Sequence, residues 1–158
     1  MEFTDLMRNF GADFGLADFA PDDDGAWNVV IDGMPVSFTE LDDPPRLRMS
    51  APVCELPENE PEALLQEMLE GMFMGQSTGG AVFSVAEGDG TVLLRRTDPL
   101  LTLDFGGFKA ILQRFVNILE RWRKTAETGL SSAAGAEDVR QPPASAMRMM
   151  NASGFLRI

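Results

Sequence analysis

Ala26-Trp27-Asn28-Val29-Val30-Ile31-Asp32-Gly33-Met34-Pro35-Val36-Ser37-Phe38 decides the fold. A β-prone run meets Asp-Gly, one of the strongest two-residue hairpin signals. Beyond it, Met34, Val36, Phe38 and Leu41 roughly alternate with polar Ser37 and Thr39, as in a strand with one buried face. Asp42-Asp43-Pro44-Pro45 turns the chain again. Arg46 to Val53 alternates polar and apolar once more, with Pro52 expected to set the end of the strand. Three successive strands predict an antiparallel meander with one face free for burial.

Helices are expected on both sides of this meander. Upstream, Phe3, Leu6, Met7, Phe10 and Phe14 follow the i, i+3, i+4, i+7 spacing of a one-sided amphipathic helix, and Gly15 is placed to end it. Downstream, Pro61 is placed to open a helix that Asn59 or Glu60 would cap. Leu64, Leu65, Met68, Leu69, Met72 and Phe73 give that helix a wide apolar stripe, and Gly75 supplies the stop. The stripe is broad and rich in methionine, which suits either an ordinary core helix or an adaptable interface.

The second half repeats the logic. Residues 81–86 and 91–96 flank Glu87-Gly88-Asp89-Gly90 as a second hairpin. Leu100, Leu101 and Leu103 read as a short strand or as a lead into the next element. Asp104 is placed as the N-cap of a last helix in which Phe108, Ile111, Leu112, Phe115, Val116, Leu119 and Trp122 repeat at helical spacing. The fold class is therefore α+β, an α-β-β-β-α-β-β-(β)-α sandwich on a twisted antiparallel sheet.

Composition narrows function mainly by exclusion. The 158 residues fit one domain, long enough to bury roughly 70% of the unfolded surface. Residues 1–60 hold fourteen acidic side chains against three basic ones, and the net charge is −12. That balance disfavours nucleic acid and anionic membrane surfaces as partners. With no histidine and one cysteine, Ser-His and Cys-His nucleophile pairs and histidine zinc sites are excluded. Cys54 reads as packing in a strand. The run Asp22-Asp23-Asp24 lacks the spacing of a calcium loop and reads as a solvated turn. Gln76-Ser77-Thr78-Gly79-Gly80 lacks the Gly-Lys-Ser/Thr ending of a phosphate loop. No stretch reaches the roughly twenty apolar residues of a membrane span, and no secretory leader is evident at the N-terminus. No metal, cofactor or catalytic residue is expected, and the chain reads as a binding protein.

Three local patterns point further. Leu64-Leu65-Gln66-Glu67-Met68-Leu69-Glu70-Gly71-Met72-Phe73-Met74-Gly75 is followed by Thr78-Gly79-Gly80-Ala81-Val82-Phe83-Ser84-Val85, and Phe108 to Val116 runs on to Glu120-Arg121-Trp122. With the acidity and the order of elements, residues 1–127 resemble the class I chaperones of bacterial type III secretion, the Tir chaperone family. The resemblance implies a homodimer formed largely through the second helix, here Leu65, Met68, Leu69, Met72 and Phe73, and neighbouring strand structure. It implies a bacterial cytosolic protein that binds an extended N-terminal segment of a secreted effector, keeps it soluble and presents it to the secretion apparatus, without nucleotide hydrolysis. The first helix beside a free sheet edge would form the client groove, through Phe3, Leu6, Met7, Phe10 and Phe14.

Other classes compete with this reading. An adaptor, or an acidic inhibitor mimicking nucleic acid, is the main alternative; a mimic would array its acids on one convex face, whereas many here lie in turns. Paired carboxylates can support catalysis without histidine, but no motif singles out a pair. Residues 128–158 shift to Gly, Ala, Ser and Pro before regaining apolar character at Met147-Arg148-Met149-Met150 and Phe155-Leu156-Arg157-Ile158. That segment reads first as a disordered terminus, and second as a tethered motif that docks on this molecule, a second subunit or a partner.

Overall fold

The computed structural model describes residues 2–58, 61–128 and 156–157. Its elements run α1 (Phe3–Asp13), β1 (Trp27–Ile31), β2 (Met34–Leu41), β3 (Arg46–Glu55), α2 (Pro61–Met72), β4 (Val82–Val85), β5 (Thr91–Pro99), α3 (Phe105–Thr128) and β6 (Leu156–Arg157). All strand pairs are antiparallel, in the order β4-β5-β3-β2-β1-β6. The expected caps Asn59 and Glu60, and most of the segment 128–158, lie outside the described residues.

Turn chemistry places the strands. Asp32 and Gly33 adopt φ of 49° and 76°, the doubly positive pair of a type I′ turn, and pair Ile31 with Met34. The acidic run before β1 is a built turn: the Asp22 carboxylate accepts from the Ala26 and Asn28 nitrogens at 2.8 and 2.7 Å and from the Asp24 amide at 3.1 Å. The Ala26 amide above all holds that carboxyl below the usual range. β3 overruns the end expected at Pro52 and continues to Glu55. A register shift between Pro52 and Cys54 reconciles the strand with a residue that lacks an N–H. Leu100–Thr102 is the lead-in, a 3₁₀ turn against the start of β3, where the Leu100 amide donates to the Pro45 carbonyl at 3.1 Å.

Helix ends also follow the residues. α1 closes as a Schellman motif: Gly15, at φ 66°, donates to the Ala12 carbonyl, and Leu16 donates to the Gly11 carbonyl. Asp104 caps α3, its Oδ1 accepting from the Gly107 amide at 2.6 Å. α2 gives way to a 3₁₀ turn at Phe73–Gly75, where Met74 has φ 56° and Gly75 has φ 68°.

One sheet face is buried beneath α1 and α3. Val36 and Phe38 of β2, Leu47 and Met49 of β3, and Val92 and Leu94 of β5 meet Leu6, Met7 and Phe10 of α1 and Phe108, Phe115 and Leu119 of α3 in one hydrophobic cluster. At its centre Phe10 lies 5.6 Å from Phe38 and 5.7 Å from Phe108, both edge to face, and 4.8 Å from Phe14. Such pairs each contribute about 0.5–1.5 kcal/mol beyond the area they bury. Phe10→Ala therefore removes about 3–5 kcal/mol of stability, measured by urea unfolding. A loss below about 1 kcal/mol would mean that this cluster does not hold α1 to the sheet.

Candidate protein-interaction site

The two stripes singled out in the sequence meet different fates. On α1, Phe3, Leu6, Met7 and Phe10 are buried and Phe14 is half-buried. Leu6, Met7 and Phe10 are wholly covered by the chain's own side chains, so they line no open groove. Phe3, with Phe19 and Trp27, lines a cavity of about 640 Å³ beside α1, whose other walls include Arg8, Glu40 and Asp42.

On α2 the stripe is split. Leu64 and Met68 face inward and are buried, Leu65 and Met72 are half-buried, and Leu69 and Phe73 stand in solvent at 64% and 71% exposure. Met74, at 81%, and Val82 and Val85 of the neighbouring edge strand β4 are also exposed. Large apolar side chains on adjoining elements mark a surface that another molecule covers more often than chance exposure does.

A clasp fixes this surface to the core. Gly71 lies directly against the Trp122 indole; a Cβ there would stand 2.8 Å from its Cη2 and closer still to its Cζ2. The Ser77 carbonyl accepts from the Trp122 Nε1 at 3.3 Å and from the Arg121 guanidinium. Burial pulls the Arg121 pKa down. The Gly79 carbonyl accepts from Arg96 Nη1 at 2.6 Å, while Arg96 Nε and Nη2 grip both Asp98 oxygens at 2.7 and 2.8 Å. Trp122 also packs edge to face on Phe83 at 4.9 Å. The turn between α2 and β4 is thus pinned by α3 and β5, and the exposed stripe is held in place rather than left mobile.

A third surface was missed in the sequence. On the sheet face opposite the helices, Val30, Pro35, Pro52 and Leu93 line a trough of about 280 Å³, bordered by Asn28, Ser37 and Ser50. Its signal was available: these positions alternate with the core residues, and on a solvated face most would be polar. Cys54, also out of phase with the core residues of β3, is half-buried, and burial pushes its thiol up, away from the thiolate. Among the described residues no cluster of three or more His, Cys, Asp or Glu could hold a metal, and no helix is long and apolar enough to cross a membrane.

A helix-covered antiparallel sheet with apolar surface left on α2, β4 and the outer sheet face defines a protein-binding module. Residues 5–123 match the model of the Tir chaperone protein (CesT) family, and the chain belongs to that family. Among solved structures it is similar to the chaperone-effector complex of HopA1 and SchA (TM-score 0.63, 17% identity, 77% of this chain and 93% of that one). It is also similar to the ExsC-ExsE complex (TM-score 0.65, 21% identity, 85% and 100%). A third match is the Yersinia pestis type III secretion chaperone SycH bound to a stable fragment of YscM2 (TM-score 0.59, 16% identity, 77% and 99%). At these identities the structures show a shared fold. No curated protein sequence matches the chain.

The cavity beside α1 also generates a pH prediction. Burial, and the charges of Asp42 and Glu2, raise the Glu40 carboxyl above its ordinary value of 4.5. An acid with a higher pKa folded than unfolded favours the fold while protonated, and that contribution is lost as pH rises through the folded value. Glu40→Gln therefore gains stability relative to the parent between about pH 4 and about pH 7, read as a widening difference in thermal midpoint. A difference constant across that range would show that Glu40 does not titrate with folding.

Proposed function

We propose that this chain is a type III secretion chaperone of the bacterial cytosol, a homodimer that holds an extended N-terminal segment of a secreted effector and presents it to the secretion apparatus. The family match carries the reading, because residues 5–123 take in nearly the whole sandwich from α1 into α3. The exposed apolar surface supports it: a second copy would cover Leu69 and Phe73, with Leu65 and Met72 at the margin and Met68 buttressing the helix from within.

The client would lie along what the core leaves open, entering the cavity beside α1 through Phe3 and the trough on the outer sheet face. Leu6, Met7, Phe10 and Phe14 would act behind Phe3 by holding α1 in place. Ordering an unfolded client costs several kcal/mol, so a long, largely apolar path is needed to offset it. No nucleotide enters this scheme.

Two measurements test it. Leu69→Asp with Phe73→Asp turns the dimer into a monomer by light scattering while the far-ultraviolet circular dichroism is retained; an unchanged dimer places the subunit contact elsewhere. Co-purification from the native host, followed by hydrogen-exchange mapping, returns a secreted protein protected near its N-terminus, with the complex surviving moderate salt. A basic DNA-binding partner released at moderate salt would instead support the nucleic-acid mimic.

A further inference from the structure

The sheet closes in an unexpected way. Five of its strands come from residues 27–99, but the sixth, Leu156–Arg157, arrives from far beyond α3 and pairs with Val30 and Ile31 on β1. We propose that the β1 edge is an acceptor for an extended polypeptide and that the chain's own C-terminal segment is its resident occupant, which an incoming strand must displace. The consequence for client binding rests on the chaperone reading above; the occupancy itself does not.

Three observations support this assignment. The first is extent: β6 makes two register pairs with β1, whereas β2 makes five along the other side of the same strand. Trp27 is bridged to Pro21 on this side, so the stretch that β6 leaves unpaired is Asn28 and Val29, and a longer strand can pair along β1 up to that bridge. Unpaired backbone N–H and C=O groups on an edge are a ready template for strand addition. The second is position: Asn28, Val29 and Val30 also line the outer-face trough, so a strand on this edge runs beside an apolar recess suited to its alternate side chains. The third is charge: residues 140–158 contain three arginines and no acid, while residues 1–60, which include β1 and its flanking turns, are strongly acidic.

Tethering explains how so short a strand can hold its place. Residues 129–155 separate α3 from β6, and a chain reaches about 3.3 Å per residue when extended, enough to cross any face of a domain this size. A tethered strand acts at an effective concentration set by its linker, and the closure cost rises only slowly with loop length. Two register pairs then suffice for occupancy yet yield to a strand that pairs further. The segment would act as a stand-in that covers the edge until a client competes for it.

The test uses the full chain with Cys54→Ser. Val30 and Arg157 are register partners, and antiparallel partners have Cα atoms about 4.5–5.5 Å apart, within the span a disulfide bridges. Val30→Cys with Arg157→Cys is expected to form an intrachain disulfide under mild oxidation. A labelled synthetic peptide of residues 147–158 should then bind the oxidised form at least tenfold more weakly than the reduced form. In a separate full-length variant, Leu156→Pro should bind the same peptide at least tenfold more tightly than the parent, and Val30→Cys alone reports whether that position tolerates change. The proposal is overturned if no disulfide forms, if it forms only between chains, or if peptide binding is indifferent to the cross-link and to Leu156→Pro. The peptide is not an effector, so failure to capture an effector would remove the chaperone reading while leaving this result standing, and the reverse holds.

Discussion

Phe10 of α1, Phe38 of β2 and Phe108 of α3 meet edge to face with centroids 5.6 to 5.8 Å apart, and the architecture depends on that contact. One ring from each of three elements fixes both helices on the same face of the sheet. Phe19 extends the cluster from Phe10 to Trp27, at 5.5 and 4.9 Å, and ties in the loop that precedes β1. Gly11 allows this by bringing α1 close to Phe19, which would stand 3.2 Å from any added Cβ. The cluster uses nearly the whole apolar stripe of α1, so surface for another protein must come from elements that the cluster does not reach.

Those elements are α2 and β4, and the clasp on the turn between them gives their exposed side chains a fixed geometry. Arg96, Arg121 and Trp122 direct N–H groups at the half-buried carbonyls of Ser77 and Gly79 and so tie this turn to β5 and α3. A rigid platform loses little conformational entropy on association. Leu69 and Phe73 are therefore suited to a standing subunit contact, whereas a disordered client needs an edge and a trough that tolerate varied sequences.

Local rules made much of this legible in the sequence. The Asp32-Gly33 turn, the Asp104 cap, the Gly15 stop and the alternation of Met34, Val36 and Phe38 each report a backbone requirement that a few residues satisfy. The destination of each apolar stripe was harder to read. Periodicity says that a helix has an apolar face, and it cannot say whether that face meets the same chain or another; Phe10 and Leu69 have the same signature and opposite exposures. Pro52 reads as a strand end because the register shift that accommodates it depends on β5. The apolar run Phe155–Ile158 suggested a docking motif, but its pairing with β1 was not legible, because a two-residue strand carries no period and its partner lies more than a hundred residues away.

The order of strands separates the two open surfaces. β4, with α2 beside it, stands at one end of the sheet, and β1 with its short companion β6 stands at the other. The proposed self-association through Leu69 and Phe73 and the proposed strand acceptance along β1 would therefore make no demand on the same backbone groups, and one could proceed without dissolving the other. Acidity fits this division. Asp22 is engaged in its own turn, and the carboxylates around the Asp32 and Asp42–Asp43 turns surround the sheet without lining its outer trough. On the proposed reading, charge would serve solubility and repel indiscriminate association, while the apolar recess and the β1 edge, which depend little on salt, would do the selecting.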